Sequence, residues 1–304
     1  MTIDTITVGR QARVKIGSNT VCFARFVPRV TRELVKNADG AICGNLWHPV
    51  NRVRKGRKIV NFSLFIDLTG AILTHVLPYM GMTDLTGGVY NLAATGNAAE
   101  VDIYVDLGAA VHRYTNCVCA GFALRGSKGS RPLQLQLNYS AEDEIDPGSA
   151  FTDAPLTIED IFSLTDCTVS AFDDTSGGTN VTLSMDRFLI QVDWGLVTEH
   201  NSSVTRTGAK YGDATAVVAT STPYVAGRKD IYWDYRDSEG PVDGTITFAN
   251  ADTTMEWAFP AGVPITETPG VMSKADQIRT PVTLDLQRTD NAGTYVSPLT
   301  LTVS

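Results

Sequence analysis

The 304-residue sequence lacks the common signatures of catalysis and nucleotide binding. It contains no G-x-S-x-G, no G-x-x-x-x-G-K-[ST] and no H-E-x-x-H. Its histidines are scattered along the chain, and neither C-x-x-C nor H-x-x-x-H occurs among its cysteines and histidines. The sequence therefore offers no candidate catalytic residue, no metal ligand and no cofactor-binding residue. We expect a protein that is not an enzyme and that needs no cofactor.

Long apolar runs are also missing. No stretch of about 20 apolar residues occurs, so we expect no membrane span and no membrane partner. The first residues, MTIDTITVGRQARVKIG, lack the basic start and apolar block of a signal peptide. We therefore expect the chain to fold in a reducing cytoplasm.

Cysteine is scarce and odd in number, which argues against a disulfide framework. The five cysteines are Cys22, Cys43, Cys117, Cys119 and Cys167. In a reducing compartment they are best interpreted as small buried hydrophobic residues. Cys117 and Cys119 are two residues apart on a predicted strand and are expected to share one of its faces.

Positive charge is in deficit, with 25 Lys and Arg against 33 Asp and Glu and a net charge of −8. Such a chain repels a nucleic-acid backbone, since binding there depends on Lys and Arg. One basic cluster stands out between residues 51 and 58, and it contains Arg52, Arg54, Lys55, Arg57 and Lys58. Two interpretations stay open for it: contact with a phosphate or an acidic partner, or an ordinary solvated loop.

What the sequence has in abundance is alternation of apolar and polar residues, the mark of a strand with one buried face. The pattern is clearest between Val101 and Tyr139, where apolar residues occupy every second position of three successive runs. The last two runs are separated by turn-forming residues 125–132. This is typical of an antiparallel meander. Because the rest of the chain is also rich in Thr, Val, Ile and aromatic residues, we predict a mainly β protein.

The same patterns place the individual elements. Strands are predicted near residues 5–16, 20–35, 59–66, 101–107, 113–124, 132–139, 181–197, 215–220, 244–249, 254–259, 263–267, 281–287 and 298–303. The clearest helix is Asp67–Leu77, which carries one apolar stripe, can be capped by Asp67 or Thr69 and ends near Pro78. Shorter helices are predicted at Pro155–Leu164 and near Arg228–Tyr235.

The segment Ile145–Pro155 is rich in Pro, Gly and small polar residues, and we predict a domain junction there. The proposed units are residues 1–150 and 151–304. Residues 26–35 align with residues 188–197 at an offset of 162, and a long segment without clear periodicity follows each of them, 37–58 and 199–224. This arrangement favours a duplication of one β module.

The order of these elements resembles the tail tube (major tail) proteins of long-tailed bacteriophages. The carrying segments are NFSLFIDLTGAILTHVLPYMG, DIYVDLG and HRYTNCVCAGFALRGSKGSRPLQLQL in the first half, with FLIQVDWG, TITFAN and TPVTLDLQR in the second. Residues 113–137 are similar to a family pattern in which an aromatic-x-x-Cys strand precedes a glycine turn and then an alternating strand after a proline.

This resemblance implies two tail-tube-like β-sandwich or half-barrel modules, each with a flanking short helix. It implies a structural virion protein, made in the host cytoplasm, that self-assembles into stacked rings of the viral tail tube. Its partners would be further copies of itself, with three two-module chains per pseudo-sixfold ring, and other tail proteins such as the tape measure and tail-end proteins. The phage genome would pass through the lumen without specific DNA binding.

Within this hypothesis the basic cluster would lie on a loop, residues 37–58, that binds the next ring, because stacked acidic subunits need opposite charges at their contact. Two other classes stay open. One is another virion part, such as a capsid decoration or tail-completion protein. The other is a β-rich glycan hydrolase, which would need paired carboxylates in an aromatic cleft.

Overall fold

The computed structural model describes residues 13–36, 53–92, 99–108, 110–127, 131–174, 181–182, 185–201, 203–223, 241–265, 279–291 and 294–304. Within these residues the protein is mainly β, as predicted, with one short α-helix. None of the described helices has the length and apolar character needed to cross a membrane.

Ten described strands precede residue 146. They are β1 Arg13–Ile16, β2 Asn19–Val21, β3 Arg25–Lys36, β4 Val53–Asp67, β5 Met82–Asp84, β6 Val89–Leu92, β7 Val101–Asp106, β8 Val111–Ser127, β9 Gln134–Ala141 and β10 Asp143–Ile145. Helix α1 is Gly70–Val76, and a 3₁₀ turn, Leu77–Tyr79, continues it.

Twelve described strands follow. They are β11 Cys167–Asp174, β12 Val181–Thr182, β13 Arg187–Asp193, β14 Val197–Glu199, β15 Gly208–Lys210, β16 Thr215–Pro223, β17 Val242–Ala249, β18 Thr254–Pro264, β19 Arg279–Leu286, β20 Thr289–Asn291, β21 Thr294–Val296 and β22 Thr300–Val303. A 3₁₀ turn, Leu164–Asp166, precedes β11.

A long antiparallel sheet is the centre of the fold. Its strands follow one another in the order β3-β4-β9-β8-β13-β16-β19-β18-β17-β11. Strand β8 has 17 residues and takes part in a second layer as well. Its first half pairs with β7 and β10, and β7 continues through β1 to β2. A register shift between Cys119 and Gly121 separates the two halves of β8, consistent with the bend that bulges introduce.

The core forms because the alternating apolar residues of both layers point inward. The ring centroids of Phe62 on β4 and Tyr114 on β8 lie 4.7 Å apart. In the second half of the chain, Phe188 on β13 packs against Phe248 on β17 with centroids 5.0 Å apart. The far part of the long sheet therefore folds back over its central strands, and one buried apolar cluster includes residues from both halves.

Helix α1 forms where the apolar stripe predicted it, between Leu68 and Leu77, both fully buried. Thr69 is the N-cap, and its hydroxyl accepts a hydrogen bond from the Ile72 amide at 3.3 Å. The carboxylate of Glu159 also accepts a hydrogen bond from the Ala71 amide. The helix is shorter than predicted because the chain turns into the 3₁₀ conformation at Leu77, next to Pro78.

The predicted helix Pro155–Leu164 is wrong. The segment is extended: Pro155 forms a bridge with Thr20, and the amide of Phe162 donates to the carbonyl of Leu68 at 2.9 Å. Ile158, expected to face inward, is 98% exposed. The backbone of this segment therefore bonds to β2 and to the residue that follows β4, and Glu159 bonds to the first turn of α1. We call residues 155–164 the strap. The other predicted helix, near Arg228–Tyr235, lies outside the described residues.

Several strand boundaries also differ from the prediction. The predicted loop 37–58 ends earlier, because residues 53–58 belong to β4 and pair with β3. Residues 254–259 and 263–267, predicted as two strands, lie for the most part in the single strand β18. Strand β11 was not predicted, and neither was the short hairpin in which β14, at the end of the predicted strand 181–197, pairs with β15 inside the segment 199–224.

Strands from the two halves of the sequence pair directly. Residues 121–127 of β8 pair with residues 187–193 of β13, and β22 pairs with β6. The two segments aligned at an offset of 162 occupy different places: β3 pairs with β4 alone among the described strands, whereas β13 lies between β8 and β16. The division into residues 1–150 and 151–304 stays a prediction.

Candidate functional site

The most distinctive surface is the outer face of the long sheet. Side chains on this face alternate with core residues along β4, β9 and β13, because successive residues of a strand point to opposite sides. We call it the polar face, and its uncharged polar members are Asn61, Ser63, Gln134, Gln136, Asn138 and Gln191. They form a surface that crosses from the first half of the chain into the second.

Side-chain hydrogen bonds organise the centre of the polar face. The Ser63 hydroxyl donates to Asn138 Oδ1 at 2.7 Å, and Gln136 Nε2 donates to the same oxygen at 2.9 Å. On the next strand, β8, Ala123 lies opposite Gln136 on one side and opposite Gln191 on the other. Its small side chain leaves a shallow depression between the two glutamines. The arrangement presents amide and hydroxyl groups to solvent and carries no acid–base pair.

Three arginines lie at one end of the polar face and line a groove of about 630 Å³. We call it the arginine groove, defined by Arg125 on β8, Arg131 before β9 and Arg187 on β13. None of the described residues that line it is Asp or Glu. The groove is therefore a basic site on a chain whose net charge is −8.

The basic cluster predicted from sequence lies at one end of the β3–β4 hairpin. Arg54 and Lys55 pair through their backbones with Val35 and Leu34, and Arg52 lies outside the described residues. Arg57 Nε lies 3.2 Å from the Glu33 carboxylate.

Lys58 forms an ion pair with Asp143, and its ammonium group also donates to the Glu144 carbonyl at 3.0 Å. The charges of Arg57 and Lys58 are therefore compensated within the chain. The sequence could not predict the Lys58–Asp143 ion pair, because the two residues are 85 positions apart.

Two further surfaces are open for association. Strand β3 has 12 residues and uses only one of its edges for pairing with described residues, and Val27 and Val30 are exposed on it. On the strap, Ile158 and Ile161 are exposed beside an apolar groove of about 630 Å³. Unpaired strand edges and exposed apolar patches are typical of contact surfaces.

The cysteines divide into two groups. Cys117 and Cys119 are fully buried, as predicted, and burial raises the pKa of both thiols, that of Cys119 to about 12. Cys22 is exposed and Cys167 is half-buried, so the prediction of a buried residue is wrong for Cys22. Cys43 lies outside the described residues. In the part of the chain that is described, no group of three or more His, Cys, Asp or Glu could hold a metal ion.

Part of this site was readable from the sequence. The alternation from Gln134 to Asn138 places three amides on one face of a predicted strand. The arginine groove had no such signal, because Arg125 and Arg187 meet only through the pairing of β8 with β13.

No protein-family model matches the chain, and no curated protein matches it.

Proposed function

We propose that the chain is a structural subunit that assembles into stacked rings of a phage tail tube, with the polar face lining the channel. The observation that carries the proposal is the extent of that face: it crosses strands from both halves and is dominated at its centre by amides and hydroxyls. At its centre such a surface is well hydrated and holds few charges that would bind a moving DNA backbone.

The edges of the sheet support assembly. A free strand edge can pair with an edge of another copy, and a head-to-tail contact of this kind generates a ring if the rotation closes. Exposed Val27 and Val30 on β3 supply apolar area for such a contact. Stoichiometry follows from the resemblance alone: three chains per ring if each chain supplies two modules.

The hairpin end formed by β3 and β4 supports ring stacking. Because Arg57 and Lys58 have carboxylate partners within the chain, Arg54 and Lys55 are the members of the basic cluster to which we assign the stacking contact. A basic end that meets an acidic surface of the next ring would offset the repulsion between subunits of net charge −8.

The proposal is tested by negative-stain electron microscopy of the purified protein, in which tubes with a central channel are expected. The variant Arg54→Glu/Lys55→Glu should fold normally but remain as single rings or free subunits at physiological salt. Lys58 is kept, since breaking its ion pair would disturb β4 itself. The control Lys15→Glu/Lys210→Glu makes the same change in net charge on other strands and should build tubes.

Two results would count against this function. Wild-type protein that forms no ring or tube at any salt concentration contradicts the tube itself. Tubes of normal length from Arg54→Glu/Lys55→Glu contradict the stacking role of the hairpin end while leaving the tube in place. A capsid decoration or tail-completion protein would form no tubes alone.

A further inference from the structure

The arginine groove has the composition of a site for phosphate groups. Arg125 lies opposite Gln134 and Leu189, and Arg187 lies opposite Ser127 and Ser221. Arg125 and Arg187 are therefore diagonal neighbours on adjacent strands, a position in which Cα atoms lie about 7 to 8 Å apart. Each guanidinium group is a planar set of donors that matches a phosphate in a bidentate manner.

In the described part of the chain, no Asp or Glu lines the arginine groove. No ion pair or side-chain hydrogen bond involves the side chain of Arg125, Arg131 or Arg187 among the described residues. Two positive guanidinium groups at diagonal positions repel each other. An anion in the groove would remove that repulsion. The hydroxyls of Ser127 and Ser221, which line the same groove, supply additional hydrogen-bond donors.

The position of the groove indicates the source of the phosphates. It lies at one end of the polar face and shares that face with Gln134. We propose that the arginine groove binds the phosphate backbone of duplex DNA without reading its sequence, a step that rests on the proposed function. The apolar floor of Phe188 and Leu189 gives no group that could distinguish bases.

The experiment measures binding of a fluorescent 20-base-pair duplex to the purified full-length protein by anisotropy. Three phosphate contacts predict a slope of log K against log salt of about −2.7. Raising salt from about 50 to about 200 mM should then weaken binding about 40-fold. Two duplexes of unrelated sequence should bind equally.

The variant Arg125→Gln/Arg131→Gln/Arg187→Gln should lose this binding at about 50 mM salt, and Arg125→Gln alone should make the slope shallower by about 0.9. The matched control Lys15→Gln/Arg32→Gln/Lys210→Gln makes the same change in net charge away from the groove and should bind like wild type. Thermal unfolding checks that all variants are folded.

Three outcomes would overturn the inference: no duplex binding at about 50 mM salt, an equal loss in both triple variants, or binding of inorganic phosphate or anionic vesicles without binding of duplex. Tube formation is scored separately by microscopy. If tubes form but duplex does not bind, DNA binding by the arginine groove is rejected and the proposed function stands. If duplex binds but no tubes form, the proposed function is rejected and DNA binding by the groove stands.

Discussion

At the scale of single residues, Gly81 shows how tightly the two halves of the chain are joined. Trp194 follows β13, and its indole nitrogen donates to the Met80 carbonyl at 2.9 Å. The ring stacks on Tyr211 with centroids 4.7 Å apart. Gly81 has a φ of +82°, and a Cβ added there would lie 2.8 Å from the Trp194 ring. Glycine is required at this position both for the backbone and for the space.

We predict that Gly81→Ala is strongly destabilising. The positive φ costs about 1 to 2 kcal/mol for a residue with a Cβ, and the forced displacement of a buried ring adds about 1 to 3 kcal/mol. The control is Gly87→Ala, which has a φ of +67° but no atom within 4 Å of the added Cβ. Only the backbone cost applies there. Urea unfolding at neutral pH measures the free energy of unfolding of both variants. Equal losses of stability would show that the contact with Trp194 adds no cost at Gly81.

At the scale of elements, Arg13 and Asp106 join strands β1 and β7. Arg13 Nη2 donates to Asp106 Oδ2 at 2.6 Å, and the Gly108 amide donates to Oδ1 at 2.7 Å. Burial by itself raises the pKa of Asp106. The two hydrogen bonds and the positive charge of Arg13 outweigh burial, so the pKa lies below its usual value. The ionised carboxylate therefore stabilises the folded state.

The sign of the pH dependence follows from this lowered pKa. An unfolded Asp has a pKa of about 3.9, so the stabilisation is complete above that pH and is lost as the pH falls through the lower folded value. We predict that Asp106→Asn lowers the free energy of unfolding at pH 7 by about 1 to 3 kcal/mol. The difference from wild type should shrink as the pH falls below about 4.

Urea unfolding at pH 7, 5 and 3 measures this effect. Asp153→Asn is the control, because Asp153 faces the same arginine at 3.6 Å but is largely exposed. It should change stability by less than about 1 kcal/mol. A deficit of Asp106→Asn that persists unchanged at pH 3 would show that the carboxylate acts through packing and not through its charge.

The sequence predicted elements best where one face of the element is buried. The alternation of β7, β8 and β9 and the stripe of α1 reflect such burial, and these elements were found. Prediction from the sequence failed where tertiary hydrogen bonds override a local pattern. In the strap, the spacing of Ile158, Ile161 and Phe162 suggested a helix. The alternation within β9 is enough to place Gln134, Gln136 and Asn138 on one face of that strand, but the polar face as a whole and the arginine groove require knowing that β8 lies beside β13.

At the scale of the whole molecule, the two halves of the sequence share a core. Trp257 of the second half packs near Phe122 of the first, with ring centroids 6.3 Å apart. Strands β22 and β6 add to this contact, since the Thr300 hydroxyl donates to Asn91 Oδ1 at 2.8 Å. Chains longer than about 250 residues commonly divide into separate cores, so this sharing has a measurable consequence.

We predict that the unassembled subunit unfolds in one cooperative transition. Separating the halves would expose Trp194, Trp257 and one edge of β8, a loss that neither half could sustain alone. Calorimetry should give one peak whose calorimetric and van't Hoff enthalpies agree.

Leu137→Ala on β9 and Leu284→Ala on β19 each remove a fully or almost fully buried side chain, at a cost of about 2 to 5 kcal/mol. Each should move the whole peak to lower temperature. Two peaks, with Leu137→Ala moving one and Leu284→Ala the other, would establish residues 1–150 and 151–304 as independent folding units, and the polar face would then be a contact between two modules instead of one sheet.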